Sequence, residues 1–488
     1  MGKFRTEKDA IGKVEVPLDA YYGPFTARAK ENFRFEGKDA VKEYYAAYVK
    51  MKLAAARANG KCGVLEGKKA DAIVTACGEL LAGNMAEELA LDFYQAGAGT
   101  PFNMNVNEVV ANRANELLGG KRGDYSPVHP NNDVNMGQSS NDLGPTAIRI
   151  TLLSLSTDLE RDVLAACKTL DVKAKKYEGK LKVGRTHLQD AVPVSISQEN
   201  RAWSDALKED VMRLRQARQG LCEIPLGGTA LGTGIAAHHR FSDEAAEELS
   251  KITGEKLVSS KNKPLHISTL NAVLFYSATV RGIAVSLVKI ADDLKLLVSG
   301  PKAGIAEIVL PEVEPGSSIM PGKINPSIPE AVEMIAKEAI AADYAVVLGC
   351  AGGQLQLNFL TPLVAKSTIE PTIRLAHAAR MLDRFCLRGM EYDLDACRRN
   401  LESSYAFATA LNPYLGYQAV AEIVKESLSS RMTIAGVVLS HKLMKKEEIE
   451  RVFDAKGIAA PSAIDLKLAA RVKCSKAYSD YLAKIGKK

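Results

Sequence analysis

The chain has 488 residues, 47% hydrophobic and 25% charged, with 64 Lys and Arg against 58 Asp and Glu for a net charge of +6. That balance excludes disordered, collagenous and mini-protein scaffolds, and at ~100–200 residues per domain the length predicts two to four units. Six surplus positive charges over so long a chain are too dilute for a dedicated nucleic-acid protein.

In chain order, residues 1–13 mix Lys3, Arg5, Lys8 and Lys13 with Glu7 and Asp9 and hold no apolar h-region, so no signal peptide is expected there. Met1-Gly2 with Thr6 fits the loose N-myristoylation pattern, which chance often supplies. Short strands are predicted at 14–16 and 180–183. Apolar positions then recur at three- and four-residue spacing through 147–177, 199–221, 270–298, 331–348 and 365–387. These segments are rich in Ala, Leu, Glu, Lys and Arg with almost no internal Pro or Gly, so propensity agrees with period and predicts a mainly α bundle. No uninterrupted apolar run approaches the ~20 residues of a membrane span, and the Lys487-Lys488 tail reads as a solvated end. The cysteines, Cys62, Cys77, Cys167, Cys222, Cys350, Cys386, Cys397 and Cys474, form no CxxC pair and no Cys/His cluster at zinc-ligand spacing. Reduced, mostly buried thiols and a cytoplasmic location are expected.

Between the helices lie Gly/Ser/Thr/Asn-rich islands at 97–107, 129–141, 184–189, 227–234 and 311–329. Gly and Asn permit close backbone approach to a small anion, and the helix N-termini that follow offer free N–H groups. One such island is by default a connecting loop; five of this makeup weigh against that default. Soft boundaries near 137 and 392 divide the chain into 1–137, 138–392 and 393–488. The most informative segment is Pro315-Gly316-Ser317-Ser318-Ile319-Met320-Pro321-Gly322-Lys323-Ile324-Asn325-Pro326. Structureless loops above ~12–15 residues are uncommon in compact domains unless they bind or close over something. Its two hydroxyls, one cation and one amide suit a carboxylate and the negative charge that develops on it in a reaction.

This segment resembles the signature of the aspartase/fumarase superfamily, homotetrameric lyases that eliminate a group from succinate-like substrates to give fumarate. The resemblance continues through Gly97-Ala98-Gly99-Thr100, Asn103-Met104-Asn105-Val106-Asn107-Glu108, Gln138-Ser139-Ser140-Asn141-Asp142, Gly184-Arg185-Thr186-His187-Leu188-Gln189-Asp190 and Gly228-Thr229-Ala230-Leu231-Gly232-Thr233-Gly234, in order over nearly the whole chain. It implies a three-domain fold: an N-terminal helical domain (1–137), a central long-helix bundle (138–392) with its catalytic loop at 311–329, and a small C-terminal helical domain (393–488). The central helices would pair across a homotetramer into a core of about twenty helices, each site drawing on three chains. A gel-filtration mass near that of one chain would contradict this.

The same resemblance implies roles. Ser317 is the base, acting as an alkoxide on a mobile loop. Lys323 and Asn325 hold the carboxylate that becomes an aci-dianion, with Ser318 beside them. Thr100, Ser139, Ser140, Asn141, Thr186 and His187 match positions that bind the two carboxylates and the leaving group, His187 touching that group. Glu330 matches a carboxylate that in fumarases pairs with the histidine across a subunit boundary; its bland reading is a helix-start Glu. A lone His is more often packed than catalytic. The Gly-Arg-Thr-His-Leu-Gln setting reverses that prior for His187, whereas His266, His377 and His441 keep it. His129-Pro130-Asn131-Asn132-Asp133 resembles the second, non-catalytic dicarboxylate site of fumarases, which usually carry Asp where this chain has Asn132, so an intact regulatory site is not expected.

No nucleotide, flavin or metal motif is present. A cofactor-free reaction is expected, since the leaving group sits beta to the carboxylate; some aspartases are activated by divalent cations. For the leaving group, Asp19-Ala20-Tyr21-Tyr22-Gly23, Ala98, Asn325-Pro326 with Pro329-Glu330, and Gly353-Gln354-Leu355-Gln356-Leu357-Asn358 look like aspartases. Ser140, Gly227-Gly228-Thr229 and Val128-His129-Pro130-Asn131 are closer to fumarases, and Pro101 fits neither. The first reading is elimination of ammonia from L-aspartate. The second is fumarate hydration, the third a lyase for an N-substituted aspartate. A non-catalytic structural descendant is opposed by the retained Ser317, Lys323, Asn325 and His187.

Overall fold

The computed structural model describes residues 4–461 and 463–486, so Met1-Gly2 and the Lys487-Lys488 tail lie outside the described residues. It is 63% helix and 7% strand, a mainly α protein. The chain divides into two compact units, each built from three stretches: Met1–Val163, Glu209–Val288 and Met334–Ala379 in the first, and Leu164–Lys208, Lys289–Glu333 and Arg380–Lys488 in the second. These group the chain by packing; the three domains at 1–137, 138–392 and 393–488 group it by sequence and stay a proposal.

The first unit opens with a hairpin, β1 (Phe4–Asp9) against β2 (Gly12–Pro17). Its turn closes because Asp9 Oδ1 accepts the N–H groups of Ile11 at 3.0 Å and Gly12 at 3.1 Å. Helices α1 (Pro24–Asn32), α2 (Lys42–Lys61), α3 (Gly67–Leu81) and α4 (Thr100–Leu117) follow. Tyr44 sits edge-on to Tyr48 and to Phe102, centroids 5.3 Å apart in both pairs, which locks α2 to α4. α4 is buried nearly all round, so its polar side chains must find partners inside the protein. They find them in the surrounding loops: Asn105 donates to Glu88 O, Asn112 to Tyr21 O and Asn115 to Val128 O. Glu108 accepts the N–H groups of Gly23, Phe25 and Thr26 at the start of α1.

Five long helices then match the five periodic segments: α5 (Ser140–Lys176), α6 (Ile196–Leu221), and, after α7 (Phe241–Thr253) and α8 (Lys263–Ser268), α9 (Asn271–Val298), α10 (Ser327–Ala351) and α11 (Thr361–Leu382). α5 begins at Ser140 and not at 147 because Ser139 and Asp142 cap it there, a signal that apolar periodicity does not carry. α11 passes into a π-turn at Asp383–Leu387. The strand expected at 180–183 is the start of β3 (Leu181–Thr186), paired with β4 (Gln189–Ser195) between α5 and α6.

By length and composition alone α9 is apolar enough to cross a membrane, although Arg281 and Lys289 interrupt its apolar run. Half of its apolar window is buried inside the protein, and Arg281 pairs with Asp343 of α10, as in a core helix. Within the second unit the C-terminal stretch has its own core, in which Leu411, Leu415, Ile423, Val437, Val438 and Val472 are fully buried. Of the eight cysteines, all free, Cys77, Cys167, Cys386 and Cys397 are buried and Cys474 alone is exposed.

Candidate active site

In the first unit, Thr100 begins α4 directly after Gly97-Ala98-Gly99, where Ala98 is held at φ 54°. Thr100 Oγ1 donates to Gly97 O at 2.6 Å, tying the hydroxyl to the turn. Ser139, Ser140 and Asn141 form the N-terminus of α5. Ser139 Oγ accepts the N–H of Asn141 at 3.3 Å while Asp142 Oδ1 accepts the N–H of Ser139 at 2.9 Å, a reciprocal cap on a helix 37 residues long. The dipole of such a helix and its remaining free N–H groups favour an anion at this end.

Asp142 is the girder of this corner. Its second oxygen accepts N–H groups from Gly227 at 3.0 Å and Thr229 at 2.8 Å, binding the 227–234 island to the α5 start. Burial raises its pKa well above the usual carboxylate range, against the pull of those N–H groups and of Lys52. The bonds hold Thr229 at φ 55°, a conformation a β-branched residue rarely adopts. Asn141 Nδ2 donates to Ala230 O at 2.9 Å, and its amide oxygen is an acceptor only. Asn103 Nδ2 donates to Ser140 Oγ at 3.1 Å, so the starts of α4 and α5 are held together. A cavity of about 880 Å³ opens beside Thr100, bordered by Arg28, Pro101, Met104, Tyr125 and His129. His129 Nδ1 accepts the N–H groups of Asn131 and Asn132, so that nitrogen serves the local turn.

In the second unit, Thr186 and His187 occupy the tip of the β3–β4 hairpin. Thr186 pairs with Gln189, which leaves His187 and Leu188 as a two-residue loop at φ 55° and 61°. Tight hairpin turns of this hand ordinarily use Asn-Gly, because two L side chains with positive φ cost about 1–2 kcal/mol each. A conformation of this cost persists only where the surrounding structure over-determines it. The base of the hairpin is fixed electrostatically: Lys182 pairs with Glu199 at 2.9 Å and Glu307 at 3.1 Å, and Arg185 grips Glu307 through both guanidinium nitrogens at 2.9 and 3.1 Å. Burial alone would raise Glu307; the Arg185 and Lys182 contacts overcome it and hold the carboxyl below its usual range.

Ser317, Ser318, Lys323 and Asn325 share the loop before α10, and Glu330 is exposed in the first turn of that helix. The loop is pinched at its neck. Gly316 N donates to Lys323 O at 2.8 Å and Asn325 Nδ2 to Gly316 O at 2.8 Å. A Cβ at Gly316 would stand 2.6 Å from Lys323 O, so only glycine fits. Within the pinch, Ser317 Oγ accepts N–H groups from Ile319 at 3.1 Å and Met320 at 2.9 Å. Two backbone donors aimed at one hydroxyl oxygen favour negative charge there over the neutral hydroxyl. Lys323 and Ser318 are exposed at the loop surface.

His266 bonds buried Arg149 at 2.9 Å and His441 bonds Glu426 at 2.8 Å, the packed roles expected of them. Among the described residues no three His, Cys, Asp or Glu side chains are grouped to hold a metal ion. Sequence reasoning missed Asp142, Asn103 and Lys52 as builders of this corner. The available signal was Lys52 itself, on the apolar stripe of α2 four residues after Tyr48 and four before Ala56.

The family described as Lyase matches residues 12–341, and Fumarase C C-terminus matches 407–459. The aspartate ammonia-lyase of Pseudomonas aeruginosa is 42% identical over 466 residues, 95% of this chain and 98% of that protein. The class II fumarate hydratase of Bacillus anthracis is 36% identical over 460 residues, covering 94% and 99%. The crystal structure of a fumarate lyase:delta crystallin from Brucella melitensis, bound to cobalt, superposes with a TM-score of 0.91 at 41% identity, covering 94% of this chain and all of that one. With the capped α5 start, the strained histidine hairpin and the pinched serine loop on one chain, these likenesses make it a member of the aspartase/fumarase superfamily of lyases.

Proposed function

We propose that this protein eliminates ammonia from L-aspartate to give fumarate. The observation that carries the reading is Ser317 Oγ under the two N–H groups of Ile319 and Met320. A proton on carbon beside a carboxylate is weakly acidic, and its removal puts a second negative charge on that group. Ser317, as alkoxide, takes the proton; Lys323 and Asn325 hold the carboxylate as it becomes the aci-dianion; the C–N bond then breaks, ammonia departs and the double bond of fumarate remains. The N-terminus of α5, with Ser139 and Ser140, suits the other carboxylate, together with Thr186 and Ser318. Thr100, Asn141 and His187 face the leaving group, and Glu330 supports the histidine across a subunit boundary. The carboxylate is the electron sink, so the reaction calls for no cofactor, and loop closure would strengthen every contact by excluding water.

A homotetramer is part of this reading. It is supported by large apolar side chains left exposed on the long helices, among them Phe275 and Val285 on α9 and Met334, Tyr344 and Leu348 on α10. Fumarate hydration is the second reading, favoured by Ser140 and by the Gly227-Gly228-Thr229 turn bound to Asp142. The role of Ser317 is common to both. Replacing it tests that role: Ser317→Ala is expected to lower the rate of fumarate formation by about 10²–10⁴-fold with the fold intact. An unchanged rate would place the base elsewhere.

A further inference from the structure

Lys52 takes no part in the chemistry above, yet it is fully buried on α2. Its Nζ donates to Asn103 Oδ1 at 2.6 Å, Asn135 Oδ1 at 2.9 Å and Gln138 Oε1 at 2.9 Å. Three N–H donors meet three amide oxygens, which satisfies an ammonium completely. Burial pushes its pKa down while Asp142 pushes it back up. The bond to Asn103 does more than fill a valence. With Oδ1 committed to Lys52, the Asn103 amide can present only Nδ2 to its other neighbours, and that nitrogen donates to Asn135 Oδ1 at 3.1 Å and to Ser140 Oγ at 3.1 Å. A hydroxyl that accepts from Asn103 keeps its own proton to give away.

We propose that Lys52 is a positioning residue which, through Asn103, sets the Ser140 hydroxyl to donate its proton to a substrate carboxylate at the N-terminus of α5. The inference rests on the reading of Ser140 as a carboxylate ligand. Without the ammonium, the Asn103 amide keeps only its bond to Asn135 Oδ1 to oppose turning over. Its oxygen then faces Ser140, and the hydroxyl spends its proton inside the protein, where the substrate gains nothing from it.

The test is a double-mutant cycle on the intact enzyme, with KM and kcat for L-aspartate read from fumarate formation in wild type, Lys52→Met, Ser140→Ala and the double variant. Ser140→Ala is expected to raise KM about 10-fold or more, the size of a lost hydrogen bond to a charged group. Lys52→Met is expected to raise KM severalfold with a smaller change in kcat, and to add less than about twofold in the Ser140→Ala background. Penalties that multiply in the double variant would overturn the inference and leave the Ser140 reading standing. An unchanged KM in Ser140→Ala would overturn that reading itself. Because Lys52→Met leaves the buried oxygens of Asn103 and Gln138 without a donor, it can fail to fold. Asn103→Asp is the companion variant, since it keeps a partner for Lys52 but has no N–H for Ser140. It is expected to raise KM as Lys52→Met does, and an unchanged KM there would also overturn the inference.

Discussion

Glu108 shows how single buried side chains set the behaviour of this corner. Burial raises its pKa to about 7, although Thr26 Oγ1 and the N–H groups of Phe25, Thr26 and Gly23 draw it down. Between the ordinary carboxylate pKa near 4.5 and that value, the folded protein holds a proton that the unfolded chain has released. Glu108 therefore makes stability fall as pH rises across that interval, and the loss is complete above about 7. Glu108→Gln is expected to lower the unfolding free energy at every pH, by about 1–3 kcal/mol for the mismatched donors, and to flatten the decline from pH 5 to pH 7.5. Thermal unfolding across that range checks it; an equally steep decline in the variant would remove Glu108 as its source. At this scale the sequence was readable where a candidate side chain sits in a short local motif. Ser317, His187 and the Ser139–Asn141 stretch carry telling neighbours, as Gly316 beside Ser317 shows. Lys52, Asn103 and Asp142 do not, because their work depends on partners 32 to 87 residues away.

The β3–β4 hairpin holds its histidine by force. Its base is clamped by Lys182, Arg185 and Glu307, and that clamp sustains two left-handed residues at the tip. Leu188, at φ 61° and 65% exposed, makes the strain measurable. Leu188→Asn is expected to keep the unfolding midpoint or raise it, since Asn tolerates that region. Leu188→Val should lower stability by about 1–2 kcal/mol, because a β-branched side chain resists it. Equal stability in the two variants would mean the turn is not held in this conformation. Among elements, the long helices were legible because a 3.6-residue apolar stripe sustained for about five or more turns has few competing explanations. The early start of α5 and the strands β1 and β4 were not: a cap and a six- or seven-residue strand are decided by partners that no short window contains.

For the whole molecule, one architecture serves two chemistries that differ only in the group expelled. Water and ammonia are both small and polar, so in the proposed reaction the choice between them falls to a few donors and acceptors. Family membership was legible from five islands in order, and the relatives found include both aspartate ammonia-lyases and class II fumarate hydratases. The features that separate them are divided in this chain: Ala98 and the 353–358 stretch lean one way, Ser140 and Gly227-Gly228-Thr229 the other. A pocket that discriminates between water and ammonia by one or two hydrogen bonds cannot be read from a motif that both branches share. The most direct measurement is therefore fumarate formation by the purified protein, followed by ultraviolet absorbance with L-aspartate and L-malate in parallel. The account predicts absorbance growing with L-aspartate. Absorbance with L-malate alone would contradict it in favour of a fumarate hydratase, and silence with both would contradict it in favour of an N-substituted aspartate or of a fold retained without its activity.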